Sequence, residues 1–147
     1  VYTGKGAINW MMDIGAWARV VARLLKAEGV LYLFEGHPFT YCFDMKASEL
    51  KMDPIYQGYF SETPYASHDW PGTYVGKLKE NEKDQATKYE KAWPVSAVIT
   101  ALLDAGLGLQ KFEEHPDKFW DEFLNLPDDL RKRFPNTYSI VAQKPAT

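Results

Sequence analysis

Ile14, Trp17, Ala18, Val21, Leu24 and Leu25 recur at steps of three and four, which predicts a helix with a single apolar stripe. Burying six such side chains is worth roughly 10 kcal/mol before entropy, at about 1.5 to 3 per large apolar side chain, so Leu24→Asp is expected to unfold the chain. Asp13 stands where a carboxylate accepts a bond from a first-turn amide, and it is the expected N-cap. Lys26 falls in the predicted last turn and Gly29 just past it, where a left-handed residue costs glycine nothing. Residues 30–34 (Val-Leu-Tyr-Leu-Phe) are then apolar without alternation, the pattern of a strand covered on both faces. The strand runs into Glu35-Gly36-His37-Pro38-Phe39, and open α/β sheets bind ligands at such carboxyl ends.

The same order of elements returns later. Pro94 suits a first helical turn, Val95, Val98, Ile99, Leu102 and Leu103 repeat the stripe, and Gly106 closes it. Residues 107–113 read as a strand nearer the sheet edge, because Gln110 and Lys111 interrupt its apolar run. Phe34 to Pro38 and Phe112 to Pro116 share the pattern F-E-x-H-P. Two such units predict parallel crossovers lying side by side, with His37 and His115 on a common rim. Residues 1–3 read as a short strand before Gly4-Lys5-Gly6, which serves either as a tight turn or as a close backbone approach to a ligand. Residues 117–126 suggest an amphipathic helix with Phe119, Trp120 and Phe123 inward, and 137–144 a last strand returning antiparallel beside its neighbour.

Residues 40–92 differ in kind. They hold Tyr41, Phe43, Tyr59, Tyr65, Trp70 and Tyr74 among other aromatics, with Pro54, Pro64 and Pro71 and no helical stripe. So long a connection reads as an aromatic-rich insertion serving as a substrate lid, mostly irregular, with hairpin arms near 72–77 and 86–93 and a solvated charged tip at 79–84. Residues 1–147 are taken as one α/β domain.

Composition narrows the function classes. With 147 residues and 46% apolar, the chain is long and greasy enough for a core. Its net charge of −3 and pI near 5.6 give no electrostatic case for nucleic acid or an anionic membrane. Cys42 is the only cysteine, which excludes an internal disulfide and fits a reducing compartment. No apolar run approaches the roughly 20 residues of a membrane span and no signal peptide is visible, so a soluble, cytoplasmic chain is expected. The opening Val1-Tyr2-Thr3, without methionine, reads as the tail of a strand already under way.

The chemistry-bearing residues are few. P-loop, CxxC, HExxH, GxSxG and kinase signatures are all missing. His37 and His115 are candidates for a base or an acceptor contact, or simply end their strands by bonding backbone groups. Glu35 and Glu113 lie beside them without the tight spacing of a metal site, so no metal is expected. His68 and Trp70 either touch substrate or form a surface turn, and Lys5 either meets a carboxylate or is solvated.

Tyr2-Thr3-Gly4 through Trp10, then Arg23-Leu24-Leu25-Lys26-Ala27-Glu28-Gly29 leading into Leu33-Phe34-Glu35-Gly36-His37-Pro38-Phe39, resembles the second half of a class I S-adenosylmethionine-dependent methyltransferase. Trp93-Pro94-Val95-Ser96 to Leu107 is similar to that family's next helix, and 137–145 to its reversed final strand. The resemblance implies a partial doubly wound, Rossmann-like sheet with parallel strands and one reversed strand. It implies S-adenosylmethionine as methyl donor and a small-molecule acceptor held under the insertion. The family's glycine-rich turn and the acid after its second strand have no counterpart here, so of its cofactor contacts only Thr3, Gly4, Lys5 and Trp10 are expected. For the acceptor side the expected residues, taken from the strand ends and the insertion, are Glu35, His37, His68, Trp70, Tyr74 and His115, with His37 as base or acceptor contact. The other reading is a non-catalytic α/β module, pairing with a second copy through an exposed first strand.

Overall fold

The computed structural model describes residues 1–55, 58–68 and 86–146. The first strand, β1 (Tyr2–Gly4), runs parallel to β2 (Val30–Gly36), and α1 (Ile14–Leu24) connects them. Asp13 caps α1 as expected, its Oδ1 accepting the Ala16 amide at 2.7 Å. At the other end the Lys144 ammonium donates to the carbonyls of Ala22 and Leu25 at 2.8 and 2.9 Å, placing a cation on the negative helix terminus. Lys26 therefore lies past the helix. The left-handed residue of the turn is Glu28, at φ 60°, not Gly29. Gly29 is needed for a different reason, since a Cβ there would come within 2.7 Å of the Lys26 carbonyl.

The insertion contributes a two-stranded ribbon, β3 (Tyr65–Ser67) against β4 (Lys88–Glu90). The returning arm expected at 86–93 contains β4, but its partner is 65–67; the arm expected at 72–77 and the tip at 79–84 lie outside the described residues. Then follow α2 (Val95–Asp104), β5 (Gly108–His115), a single turn α3 (Asp128–Arg131) and β6 (Thr137–Gln143).

The main sheet has the order β1-β2-β6-β5. Strands β2 and β5 both run antiparallel to β6, so they point the same way, as expected of the two repeats. They are not neighbours, however. The reversed strand β6 lies between them and pairs with both along its whole length, which satisfies its backbone donors and acceptors on each side.

The core occupies one face of this sheet. Leu31, Leu33, Ile140 and Ala142 meet Ala18 and Val21 of α1 and Val98 and Leu102 of α2, all nearly without solvent contact. The opposite face is open along the first half of β2, while at its carboxyl end Phe119 covers Phe34 and Thr137 and Ser139 of β6 are buried. Burial along β2 alternates instead of running continuously: Val30 and Tyr32 are each 43% exposed, and Tyr32 stacks on the exposed Tyr2 at 6.0 Å. The expected double cover of β2 is thus corrected, because α1 and α2 both pack on the same side. Leu24 is also corrected. It is 66% exposed, since at roughly 100° per residue it sits about 80° round the helix from Ile14. The substitution expected to unfold the chain belongs at Val21.

No helix forms at 117–126. The aromatic spacing there serves separate contacts: Phe119 lies 5.5 Å from Phe34 over the sheet, and Phe123 packs on Phe134 at 5.6 Å with its backbone left-handed.

Candidate functional site

The carboxyl ends of β1 and β2 meet at one rim. Lys5 continues the pairing by donating its amide to the Phe34 carbonyl at 2.9 Å. A Cβ at Gly4 would approach that carbonyl to 2.7 Å, so the strand end requires glycine. The chain then turns through Lys5 (φ 59°) and Gly6 (φ 90°) into a single 3-10 turn, Ile8–Trp10. Successive amides in such a turn point inward and form a concavity that favours an anion. The anion is supplied from β2. Glu35, only 1% exposed, accepts hydrogen bonds from the amides of Gly6 and of Ile8, the latter at 3.3 Å. Burial raises the pKa of this carboxyl, while the amides pull it back down.

The insertion grips the same loop from the other side. Asn9 donates its side-chain amide to the Tyr41 hydroxyl at 2.7 Å and accepts the Lys91 amide on its carbonyl at 2.8 Å. The Trp93 indole donates to the Met11 carbonyl at 2.8 Å. Trp10 remains 43% exposed with the Lys88 ammonium 5.8 Å above its ring. Beside Tyr41 a cavity of about 390 Å³ opens between Phe43, Asp44, Asp53, Tyr65 and Glu90. A larger groove, about 490 Å³, runs between α1 and α2 from Ile14 to Ala105 and holds none of the candidate site residues that lie among the described ones.

His37 is buried on the helix-covered side, where its Nε2 lies 3.1 Å from Glu114 Oε1. Its Nδ1 accepts the Phe39 amide at 3.2 Å, which leaves the ring proton on Nε2, donated to Glu114. Burial lowers the His37 pKa, and Glu114 acts in the opposite direction. The edge of the ring faces Tyr138, at 5.8 Å between centroids. Tyr138 is the cross-strand partner of Glu35; its hydroxyl is buried without a hydrogen-bond partner among the described residues, and burial raises its pKa, with Glu35 and Tyr59 adding to the effect.

His115 stands at the same end of the sheet but on the open face, bonded to Ser139 Oγ at 3.1 Å and edge-on to Phe34. The two histidines share a rim and are separated by the sheet itself. Glu113 faces outward and pairs with Lys111 at 2.9 Å. Thr3 lies opposite Leu33, Lys5 is exposed, and His68 is exposed just after β3. Trp70 and Tyr74 lie outside the described residues. Asn9, Tyr41, Glu114 and Tyr138 join the site without having been singled out for chemistry. Only the strand register brings Glu114 and Tyr138 to it. Among the described residues no group of three metal-ligating side chains is placed to hold an ion.

No family model and no curated protein matches this sequence. Solved structures do. A protein described as an S-adenosylmethionine-dependent methyltransferase from Listeria monocytogenes superposes with a TM-score of 0.59 at 19% identity, over 98% of this chain and 60% of its own length. A methyltransferase of the same dependence from Mesorhizobium loti gives 0.56 at 16% identity, over 97% and 60%, and one from Methanosarcina mazei 0.53 at 15%, over 99% and 58%. This chain thus spans about three-fifths of the length of these structures, and over that length it has the α/β fold of S-adenosylmethionine-dependent methyltransferases.

Proposed function

We propose that this chain supplies the acceptor-side half of an enzyme that moves a methyl group from S-adenosylmethionine to a small molecule. The observation that carries the reading is the sheet order, two parallel strands separated by a reversed one, in a fold shared with methyltransferases. Thr3, Gly4, Lys5 and Trp10 would contact the cofactor. The space beside Gly6, where among the described residues no atom beyond its chain neighbours comes within 4 Å of the place of a Cβ, and the exposed Trp10 ring fit that role. The bound cofactor supplies an electrophilic methyl on a sulfonium, and the chain's part is mainly to hold the acceptor in line with it. The cavity walled by Tyr41, Phe43 and Tyr65 offers the aromatic surface for this. Where the acceptor must lose a proton, the half-exposed Glu114 carboxylate would take it, and His37 holds that carboxylate in place through its Nε2–H, since its own Nδ1 is already occupied.

The family's glycine-rich cofactor turn has no counterpart in these 147 residues. Calorimetric titration with S-adenosylhomocysteine is therefore expected to show nothing tighter than millimolar for these 147 residues alone. Micromolar binding would refute the half-site reading. In a longer protein carrying this segment, a His37→Ala variant that methylates at full rate would remove His37 from the mechanism.

A second reading is favoured by one observation. Strand β1 is a sheet edge beside the exposed Tyr2, Val30 and Tyr32, a surface suited to a second copy in a non-catalytic module. Sedimentation at increasing concentration tests it, with a stable dimer expected on this reading and a monomer opposing it.

A further inference from the structure

We infer that Glu35 is a positioning residue whose carboxylate latches the loop 5–11 to the sheet, not a group that meets the acceptor. Three observations carry this. The carboxylate is 1% exposed and faces the loop, with both oxygens engaged by the Gly6 and Ile8 amides. The loop backbone is left-handed at Lys5 and Gly6, a conformation that turns its amides toward a single point and that a non-glycine residue such as Lys5 rarely adopts without compensation. The far side of the loop is tied to the insertion through Asn9–Tyr41 and Asn9–Lys91, and to Trp93 just past it through Met11. Loop 5–11 is therefore a shared wall, held by β2 on one side and by both ends of the insertion on the other. Removing the latch frees one side only, so the loop changes shape while the sheet beneath it stays paired.

The consequence for a cofactor at Thr3 to Trp10 rests on the methyl-transfer reading, but the latch itself does not. It is read on the 147-residue chain by amide hydrogen exchange. In Glu35→Ala the Gly6 and Ile8 amides are expected to lose protection by roughly tenfold or more, the effect of stranding a charge-assisted hydrogen bond. The amides of Leu33 and Ile140 should keep theirs. Added formate, which fits the vacated concavity, should restore the Gly6 and Ile8 protection. Where Glu35→Ala fails to fold, Glu35→Gln serves. Its side chain has the same shape, but one oxygen is replaced by an NH2 that cannot accept, so one of the two loop amides should lose protection and formate should not help. Unchanged protection in Glu35→Gln, or equal loss in loop and sheet without formate rescue in Glu35→Ala, overturns the latch. Because no cofactor or acceptor enters this readout, a failed latch leaves the methyl-transfer reading standing. An absence of methyl transfer likewise leaves the latch standing.

Discussion

Phe34-Glu35-Gly36-His37-Pro38 and Phe112-Glu113-Glu114-His115-Pro116 spell the same pattern at the ends of two strands that point the same way, and yet they present opposite faces. Measured against β6, Phe34 lies opposite Ser139 and Glu35 opposite Tyr138. In the second unit Phe112 lies opposite Ile140, and it is Glu114, not Glu113, that faces Tyr138. The offset is one residue, and in a strand one residue exchanges the two faces. Its source is the irregularity between Leu109 and Lys111, where Gln110 is the extra residue of a bulge. Glu35 consequently enters the core side and finds the loop amides, while Glu113 goes to solvent and finds Lys111. A repeated motif states which residue types end a strand; register decides what each of them touches.

The largest expected effect contrasts the faces on a single strand. Leu33→Ala should lower unfolding free energy by about 2–5 kcal/mol in urea titration, whereas Tyr32→Ala, on the open face, should stay below about 1. Equal losses would mean that the open face is covered in solution. Next come the two glutamates. Glu35→Ala strands the Gly6 and Ile8 amides at a cost of about 1–3 kcal/mol each, while Glu113→Ala breaks an exposed pair and should change stability by no more than about 0.5. A smaller effect is expected from deleting Gln110. The pairs from Lys111–Val141 to His115–Thr137 already follow Leu109–Ala142 without it, so the His115–Ser139 contact should persist in NMR spectra. A shift of that contact would show the bulge to be more than an offset.

The mildest test is titration. The folded-state pKa of His37 lies below its ordinary 6.5, so as pH falls the unfolded chain takes up the proton first. The stability that the neutral, buried ring contributes is whole above pH 6.5 and is lost as pH drops toward the folded value. His37→Gln should remove that slope from the pH–stability curve. His115→Gln, on the other face, should keep it. Glu35 works in the opposite sense: its pKa is raised, so wild type should gain on Glu35→Gln as pH falls from neutrality through the folded value toward 4.5.

Local rules were enough to read most of the elements from the chain, though not the segment 117–126, where the expected helix does not form. Asp13 as a cap, the stripe of Ile14, Ala18 and Val21, the apolar run into Glu35, and a second helix and strand after Pro94 depend on neighbours three or four residues away, and the sequence carries that information directly. The resemblance of those phrases in order to a methyltransferase half was legible for the same reason. What the tertiary structure alone decided concerns partners far apart along the chain. It inserted β6 between β2 and β5, left part of one face of the sheet open around Val30 and Tyr32, exposed Leu24, and set His37 and His115 on opposite faces. It also assigned Glu35 to the Gly6 and Ile8 amides, which lie 29 and 27 residues away. Such pairings follow from strand register and from which side each crossover packs, and neither is encoded in the type of any one residue.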